Sequence, residues 1–466
     1  MQFFRRQITF NYPLGMAIIA MLLLCFIAGV NIYRRQTTPP DGLQFWVFAE
    51  RHYEAYQREI NGPISKNIGP VNLQLVQSSA MTRQLQLDIS NSFSGKDVPD
   101  VVEIDIGQVG VFFRPPNSDI GFEPLGPYLE KSGRLKDIIP SRLATWTRRS
   151  EIFGVPNDVH PVGLVYREDL FRQAGIDLST AATWPDFQEK CLQFQEYWKS
   201  KGYNDRHAIE MYSSRVDHLL VMLQQRSINL IDDQNELHLD KNMTAQTLAF
   251  YAQCVAGKRS IASESGPGDA AINRDLNDGN ICCYFTPDWR IASIRQAGTP
   301  FLKGKFRFMP LPRFDPTDAP TASWGGTMIG ILRTSRNKEK AWKLIEKLYL
   351  EKDSVNKRRE ITGILPPIPS FWDDPSYQKP DPFFGGQQLD QMLVSLARQL
   401  PVRTVSPATN IINYYMIQVL SQATLVAEKQ AQVDSIEQYR KLLHEASVDL
   451  QKRITQMDFT VPLKSG

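Results

Sequence analysis

A chain of 466 residues that is 42% hydrophobic and 22% charged is long enough for two globular domains, each with a core of its own. Its formal charge of +3 traces to Arg5, Arg6, Arg34 and Arg35, because from Gln36 onward 49 basic residues face 50 acidic ones. The main body therefore lacks the electrostatic footprint of a nucleic-acid binder, and five cysteines are too few for a disulfide scaffold of this size.

Residues 1–13 read as a short N-terminal tail. Leu14 to Val30 is an uncharged apolar run of seventeen residues between the two arginine pairs. A cleavable signal core has only ~7 to 15 apolar residues, so the run suits a membrane span better and is read as a transmembrane signal anchor over 14–33. The alternative is cleavage after Gly29, since Ile27 and Gly29 occupy the two recognition positions. The arginine pairs balance each other, and charge alone does not set the orientation.

After a polar linker, 34–42, "LQFWVFA" is the first strand candidate, "VNLQLVQ" from Val71 the second and "DVVEIDI" from Asp100 the third. A helix is expected over Met81 to Phe93. Strands alternating with helices predict a mainly parallel sheet in an α/β layer architecture. From Glu151 the pattern restarts: "GVPNDVHPVGLVYREDLF" runs from a turn through a strand into a helix that stops at Gly175. In "TWPDF", Thr183 and Asp186 stand as N-cap and third helical residue, and Trp184 and Phe187 belong to the core. "NICCYF" reads as a strand, where Cys282 and Cys283 point to opposite faces, so ordinary buried thiols, or at most one disulfide, are expected among Cys191, Cys254, Cys282 and Cys283. The chain closes with helices over Gln387 to Gln399, Asn410 to Glu428 and Ser435 to Gln456.

No nucleophile elbow, phosphate-binding glycine loop or zinc-protease helix is present, and the six histidines lack ligand spacing. What is enriched is aromatic surface beside turn residues: Trp46 and Phe48 on the first strand, Trp289 in "FTPDWRI" and Trp324 in "TASWGGTMIGIL".

Several fragments, in order, resemble the family-1 extracellular solute-binding proteins, relatives of maltose-binding protein, over nearly all of Leu43 to Met457. They are "GKDVPDVVEIDI", "FEPLGPYLEKSG", "GVPNDVHPVGLVYREDLFRQAGID" with "TWPDFQEKC", "DGNICCYFTPDWRIA", "MPLPR", "SWGGTMIGILRTSRNKEKAWKLIEKL" and "TGILPPIPS". Pro287 and Asp288 depart from the family's glycine pattern at the turn before Trp289. The resemblance implies an α/β, two-lobed periplasmic-binding-protein fold (type II) with a ligand cleft between the lobes, here preceded by the one N-terminal transmembrane helix. Lobe 1 is expected at 41–154 and 308–350, and lobe 2 at 155–307 and 351–462. The chain is expected to cross near 154–157, 306–311 and 349–353.

The same resemblance implies an exported carbohydrate receptor of an ABC importer, and the apolar run, if retained, would anchor it in the membrane with its main domain on the periplasmic or extracellular side. It would dock on permease transmembrane subunits and need no cofactor. A sensing or scaffold protein that keeps the binding fold is the alternative, and a glycan-acting hydrolase the third reading. The candidate ligand residues are Trp46, Phe48, Glu50, Asp105, Asn157, Asp158, His160, Tyr212, Asp288, Trp289, Trp324, Gly325 and Gly326. Strand ends face the cleft of an open α/β sheet, and sugars need a flat apolar wall beside polar groups. Core placement beneath the following helix is the competing expectation for Trp324, and core packing for Trp46 and Phe48.

Overall fold

Leu43–Val47 forms strand β1 and Glu50–Glu59 helix α1, followed by β2 at Val71–Leu75, α2 at Ser78–Ser90, β3 at Val101–Asp105 and α3 at Ile106–Phe112. The structure, a computed structural model, describes residues 19–23, 25, 42–90, 98–232, 236–266, 269–429 and 435–457. β1, β2 and β3 pair in parallel with β1 in the middle. Both faces of β1 are covered: Phe45 and Val47 enter one core and Trp46 the other. Burying such a side chain contributes about 1.5–3 kcal/mol, which is why the run reads as continuously apolar rather than alternating.

The chain adds Val155–Pro156 (β4) to this sheet and then leaves it. Val162–Arg167 (β5) begins a second sheet, and Trp184–Ser200 (α4), Asp217–Gln225 (α5) and Asn242–Val255 (α6) pack beside it. Cys283–Pro287 (β6), Asp288–Ala297 (α7) and Phe306–Pro310 (β7) follow, with β6 and β7 flanking β5 antiparallel. Thr327–Ile331 (β8) returns to the first sheet, antiparallel to both β3 and β4. In this five-stranded sheet β1 to β4 therefore run in one direction, and β8 alone, returning from the other lobe, enters from the opposite end.

Lys338–Ile345 (α8) and Lys352–Thr362 (α9) lie on lobe 1, then Leu389–Ala397 (α10), Thr409–Lys429 (α11) and Ile436–Gln456 (α12) on lobe 2. Two expected boundaries need correction. α9 packs on α1 and puts Val355 into the lobe 1 core, so the third crossing follows residue 362 rather than 351. β7 lies wholly in the second sheet, so the second crossing is the stretch 311–326.

Local signals act as their chemistry requires. The Thr183 hydroxyl accepts from the Asp186 N–H at 3.2 Å, and Gly175 takes φ +75° past its helix. The four cysteines are free and buried in the lobe 2 core, where burial holds the thiols well above their usual range. Among the described residues no helix is long and apolar enough to cross a membrane. The expected anchor lies largely outside the described residues; 19–23 and 25 are helical.

Candidate ligand cleft

Trp324, on the segment that re-enters lobe 1, stands between two cavities at the junction of the lobes. The smaller one, about 300 Å³, is lined from lobe 1 by Asp105 and Gly107 and from lobe 2 by Asp217, Gln224 and Asn229, with Arg403 also on its wall. The larger one, about 720 Å³, is lined from lobe 1 by Glu50 and Arg51 and from lobe 2 by Tyr212, Arg215, Trp289 and Arg290. Arg51 Nη2 donates to Gln296 Oε1 between the lobes at 2.9 Å.

The aromatic wall is braced from behind. The His218 ring is stacked between Tyr212 and Phe285, at centroid distances of 4.5 and 4.4 Å, and meets Trp324 edge-on at 5.0 Å. Burial keeps its imidazole neutral by pushing the pKa well below the ordinary histidine value. Trp289 meets Trp324 at 72°, 5.6 Å between centroids, and its indole N–H donates to the Trp324 carbonyl at 3.0 Å. Arg215 covers the other side of Tyr212 at 3.8 Å, so the wall is fixed before a ligand arrives.

Charges from both lobes converge in the smaller cavity. Asp105 ends β3 and caps α3, accepting from the Gly107 N–H at 2.8 Å; burial raises its carboxyl pKa against that bond. Burial first, then repulsion from Arg142, lowers the Arg403 guanidinium to about 10, while Asp105 and Asp217 pull the other way. Carboxylates and guanidinium groups around an aromatic face supply the acceptors and donors that a hydroxyl-rich ligand requires.

A different set of groups clasps the three crossings. Asp158 accepts from Arg142 Nη2 at 2.8 Å and from the Thr327 N–H at 2.8 Å, and its Oδ2 lies 3.1 Å from His160 Nε2. His160 Nδ1 meets Asp288 Oδ1 at 2.5 Å, and Asp288 also accepts from the N–H groups of Trp289 and Leu365. Burial works against the charged form of each, but the partners prevail. Asp158 is held well below the usual carboxylate range by His160 and Arg142, and His160 is held up at about 9 by Asp158 and Asp288.

The expected ligand residues therefore divide. Glu50, Asp105, Tyr212, Trp289, Trp324 and Gly325 line the cavities. Asn157, Asp158, His160 and Asp288 were expected to face a ligand and are instead buried, the last three with their side-chain polar atoms already engaged. Asn157 sits against the His52 ring, its Nδ2 3.3 Å from His52 Nε2. Trp46 is core, covered on its face of the sheet by α2 and its neighbours, while Phe48 is half-buried against the same cluster. The two glycines admit protein groups rather than exposing backbone. At Gly326, φ +154°, a Cβ would lie 2.4 Å from Arg142 Nη2, and at Gly325, φ +95°, 3.2 Å from the Trp289 indole nitrogen. Arg215, Asp217, Asn229 and Arg403 escaped the sequence reading. They lie on helix starts and loops, with no motif or periodicity to mark them. Among the described residues no group of His, Cys, Asp or Glu could hold a metal ion.

Two α/β lobes joined by three crossings, with an aromatic cleft where they meet, define a solute-capturing protein. The family model for bacterial extracellular solute-binding proteins matches residues 65–384, and the chain belongs to that family. It is a binding protein rather than an enzyme. It is 23% identical over 376 residues to an arabinooligosaccharide-binding protein of Halalkalibacterium halodurans, covering 79% of this chain and 81% of that one. It is 24% identical over 269 residues to a lactose-binding protein of Rhizobium radiobacter, covering 57% and 61%. The fold matches the sugar-binding protein MalE of Xanthomonas citri with a TM-score of 0.70 at 21% identity, covering 89% of this chain and 99% of that one. A cyclo/maltodextrin-binding protein complexed with maltotetraose gives 0.67 at 16% identity, with 92% and 99% covered. The chain thus has the MalE-like two-lobed, mixed α/β fold.

Proposed function

We propose that this protein is the carbohydrate receptor of an ABC importer, and that it captures a sugar between its lobes by closing around Trp324. The observation that carries the reading is the smaller cavity, where an acidic side chain from each lobe, Asp105 and Asp217, stands beside Trp324. A ligand bonded to both lobes stabilises the closed arrangement in proportion to its differential affinity for it, with no catalytic step. The sugar-binding relatives support this choice of ligand class. Lobe 1 would consist of residues from 42 through β4 together with β8 to α9, and the remainder would move as lobe 2 about the Asp158 clasp.

The apolar run Leu14 to Val30 would hold the protein at the membrane with the lobes outside, within reach of permease subunits. Thermal unfolding of the full chain in neutral detergent, screened against arabinooligosaccharide, lactose and maltotetraose, tests the ligand class, because a ligand raises the melting temperature by mass action. A shift with at least one sugar, and a smaller radius of gyration on saturation, is expected. No shift with any oligosaccharide, alongside one with an unrelated solute, would refute the carbohydrate reading. Retention in the membrane fraction after carbonate washing tests the anchor, and full release contradicts it.

A further inference from the structure

Beyond Arg403, away from Trp324, lies another cavity of about 920 Å³ that the sugar reading does not use. Its lobe 1 side is built from the loop around Lys136, the short helix Pro140–Leu143 and the turn between the paired strands Thr147–Arg148 and Glu151–Ile152. The other side is the segment 402–405, which follows α10 of lobe 2 and lays Val405 against a lobe 1 core. Four cationic side chains line this space, Lys136, Arg148, Arg149 and Arg403, and no carboxylate of the described residues does. The remaining wall is largely apolar, with Leu143 and Ile152 among its members.

Two physical facts bear on what such a space can hold. Like charges gathered in a low-dielectric crevice concentrate counter-ions there. Arg403 is half-buried and forms no ion pair with any described residue, and its guanidinium is depressed by burial and by the neighbouring Arg142. Asp105 and Asp217 attract it from the cleft side without a direct ion pair, and a desolvated cation gains further from an anion that bonds to it directly. Guanidinium forks match phosphate oxygens in pairs, and four cations suit a phosphate better than a single carboxylate.

We propose that this cavity is a second binding site, for a phosphate group carried on an apolar body, with Arg403 as its principal donor and with Arg149, whose Nη1 donates to the Pro115 carbonyl at 2.8 Å, adding its remaining N–H groups from the exposed rim. The phosphate sits among the four cations and the apolar body lies on the Leu143 and Ile152 wall. Because Arg403 is common to this cavity and to the cleft, occupancy here bears on the cleft, yet the site itself does not depend on what the cleft binds. A soluble phosphate ester and a lipid headgroup both carry the required chemistry.

The test is calorimetric titration of the full chain in neutral detergent with phenyl phosphate, with inorganic phosphate and benzyl alcohol as its two halves. Phenyl phosphate is expected to bind at least tenfold more tightly than either half, and Arg403→Gln and Arg149→Gln are each expected to weaken it about tenfold. Thermal unfolding of both variants establishes that they are folded, and Lys136→Gln, at an exposed position, provides a third variant. Binding of phenyl phosphate assigns the soluble source. If it does not bind, hydrogen exchange over 147–152 is compared in phosphatidylglycerol and phosphatidylcholine vesicles. Protection confined to phosphatidylglycerol and lost in Arg149→Gln assigns the headgroup. Wild-type affinity in all the variants, equal binding of benzyl alcohol, or no response to either source overturns the proposal.

Discussion

On the cleft side of Trp324, the side chains of Asp105, Asp217, Asn229 and Arg403 border open space; on its hinge side, Asp158, His160 and Asp288 are buried and bonded to one another and to the backbone. Both groups are polar, close in the fold and set at strand or helix ends. Only the first can serve a solute. A fully buried carboxylate that already accepts from Arg142, Thr327 and His160 is out of reach of a solute hydroxyl, whereas groups bordering a cavity exchange water for ligand. The second group suits a fulcrum, because Asp158 lies on the first crossing, Thr327 ends the second and Leu365 lies on the third.

The largest effect expected from this contrast is on folding. Arg142→Met leaves the buried Asp158 carboxylate with His160 as its remaining counter-charge, and breaking a buried pair from one side costs about 3–5 kcal/mol of stability. Chemical denaturation measures this directly, and a loss below about 1 kcal/mol would remove the clasp from the list of elements that hold the lobes. A related effect follows from protonation. His160 has its folded pKa raised to about 9 by Asp158 and Asp288 against the opposing effect of burial. Its contribution is therefore complete below its unfolded value of about 6.5 and is lost as pH rises through about 9, to a total of about 3 kcal/mol. Asp158 is depressed, so its contribution is present at neutral pH and lost in acid. Stability followed from pH 6.5 to 9.5 should fall in the wild type and stay nearly level in His160→Gln; parallel profiles would contradict the assignment. On the cleft side, Asp217→Asn should leave the melting temperature within a few degrees and weaken sugar binding by about 1.5–3 kcal/mol, the worth of a hydrogen bond to a charged group. Unchanged affinity would confine the ligand to the larger cavity beside Trp289.

Much of the fold was legible because short-range chemistry dictates it. β1, β2 and β3 follow from runs of apolar and β-branched residues, the helix at Trp184 from the Thr183 cap, and its neighbour's end from Gly175. The family's fragment order then supplied the two lobes. The antiparallel return of β8 and the placement of α9 on α1 were not legible, since both depend on which lobe a crossing enters. The site was half legible for a similar reason. Trp289 and Trp324 stand out in their local sequence, but Asp217 and Arg403 meet Asp105 only after the chain has folded. Nothing in the sequence around His160 distinguishes a carboxylate that faces a ligand from one that faces a histidine. That distinction is made by Asp288, 128 residues away.

The account turns on Trp324 as the wall of a cleft rather than a member of the core, and calorimetric titration of Trp324→Ala beside its thermal unfolding addresses that directly. Trp324 borders both cavities and is only partly buried against the lobe 2 core. Removing its ring should weaken binding of the best sugar by about 1–3 kcal/mol, through lost apolar contact and stacking, while the melting temperature moves little. An unchanged affinity together with a stability loss of about 3–5 kcal/mol, the signature of a cavity opened in a core, would contradict the account.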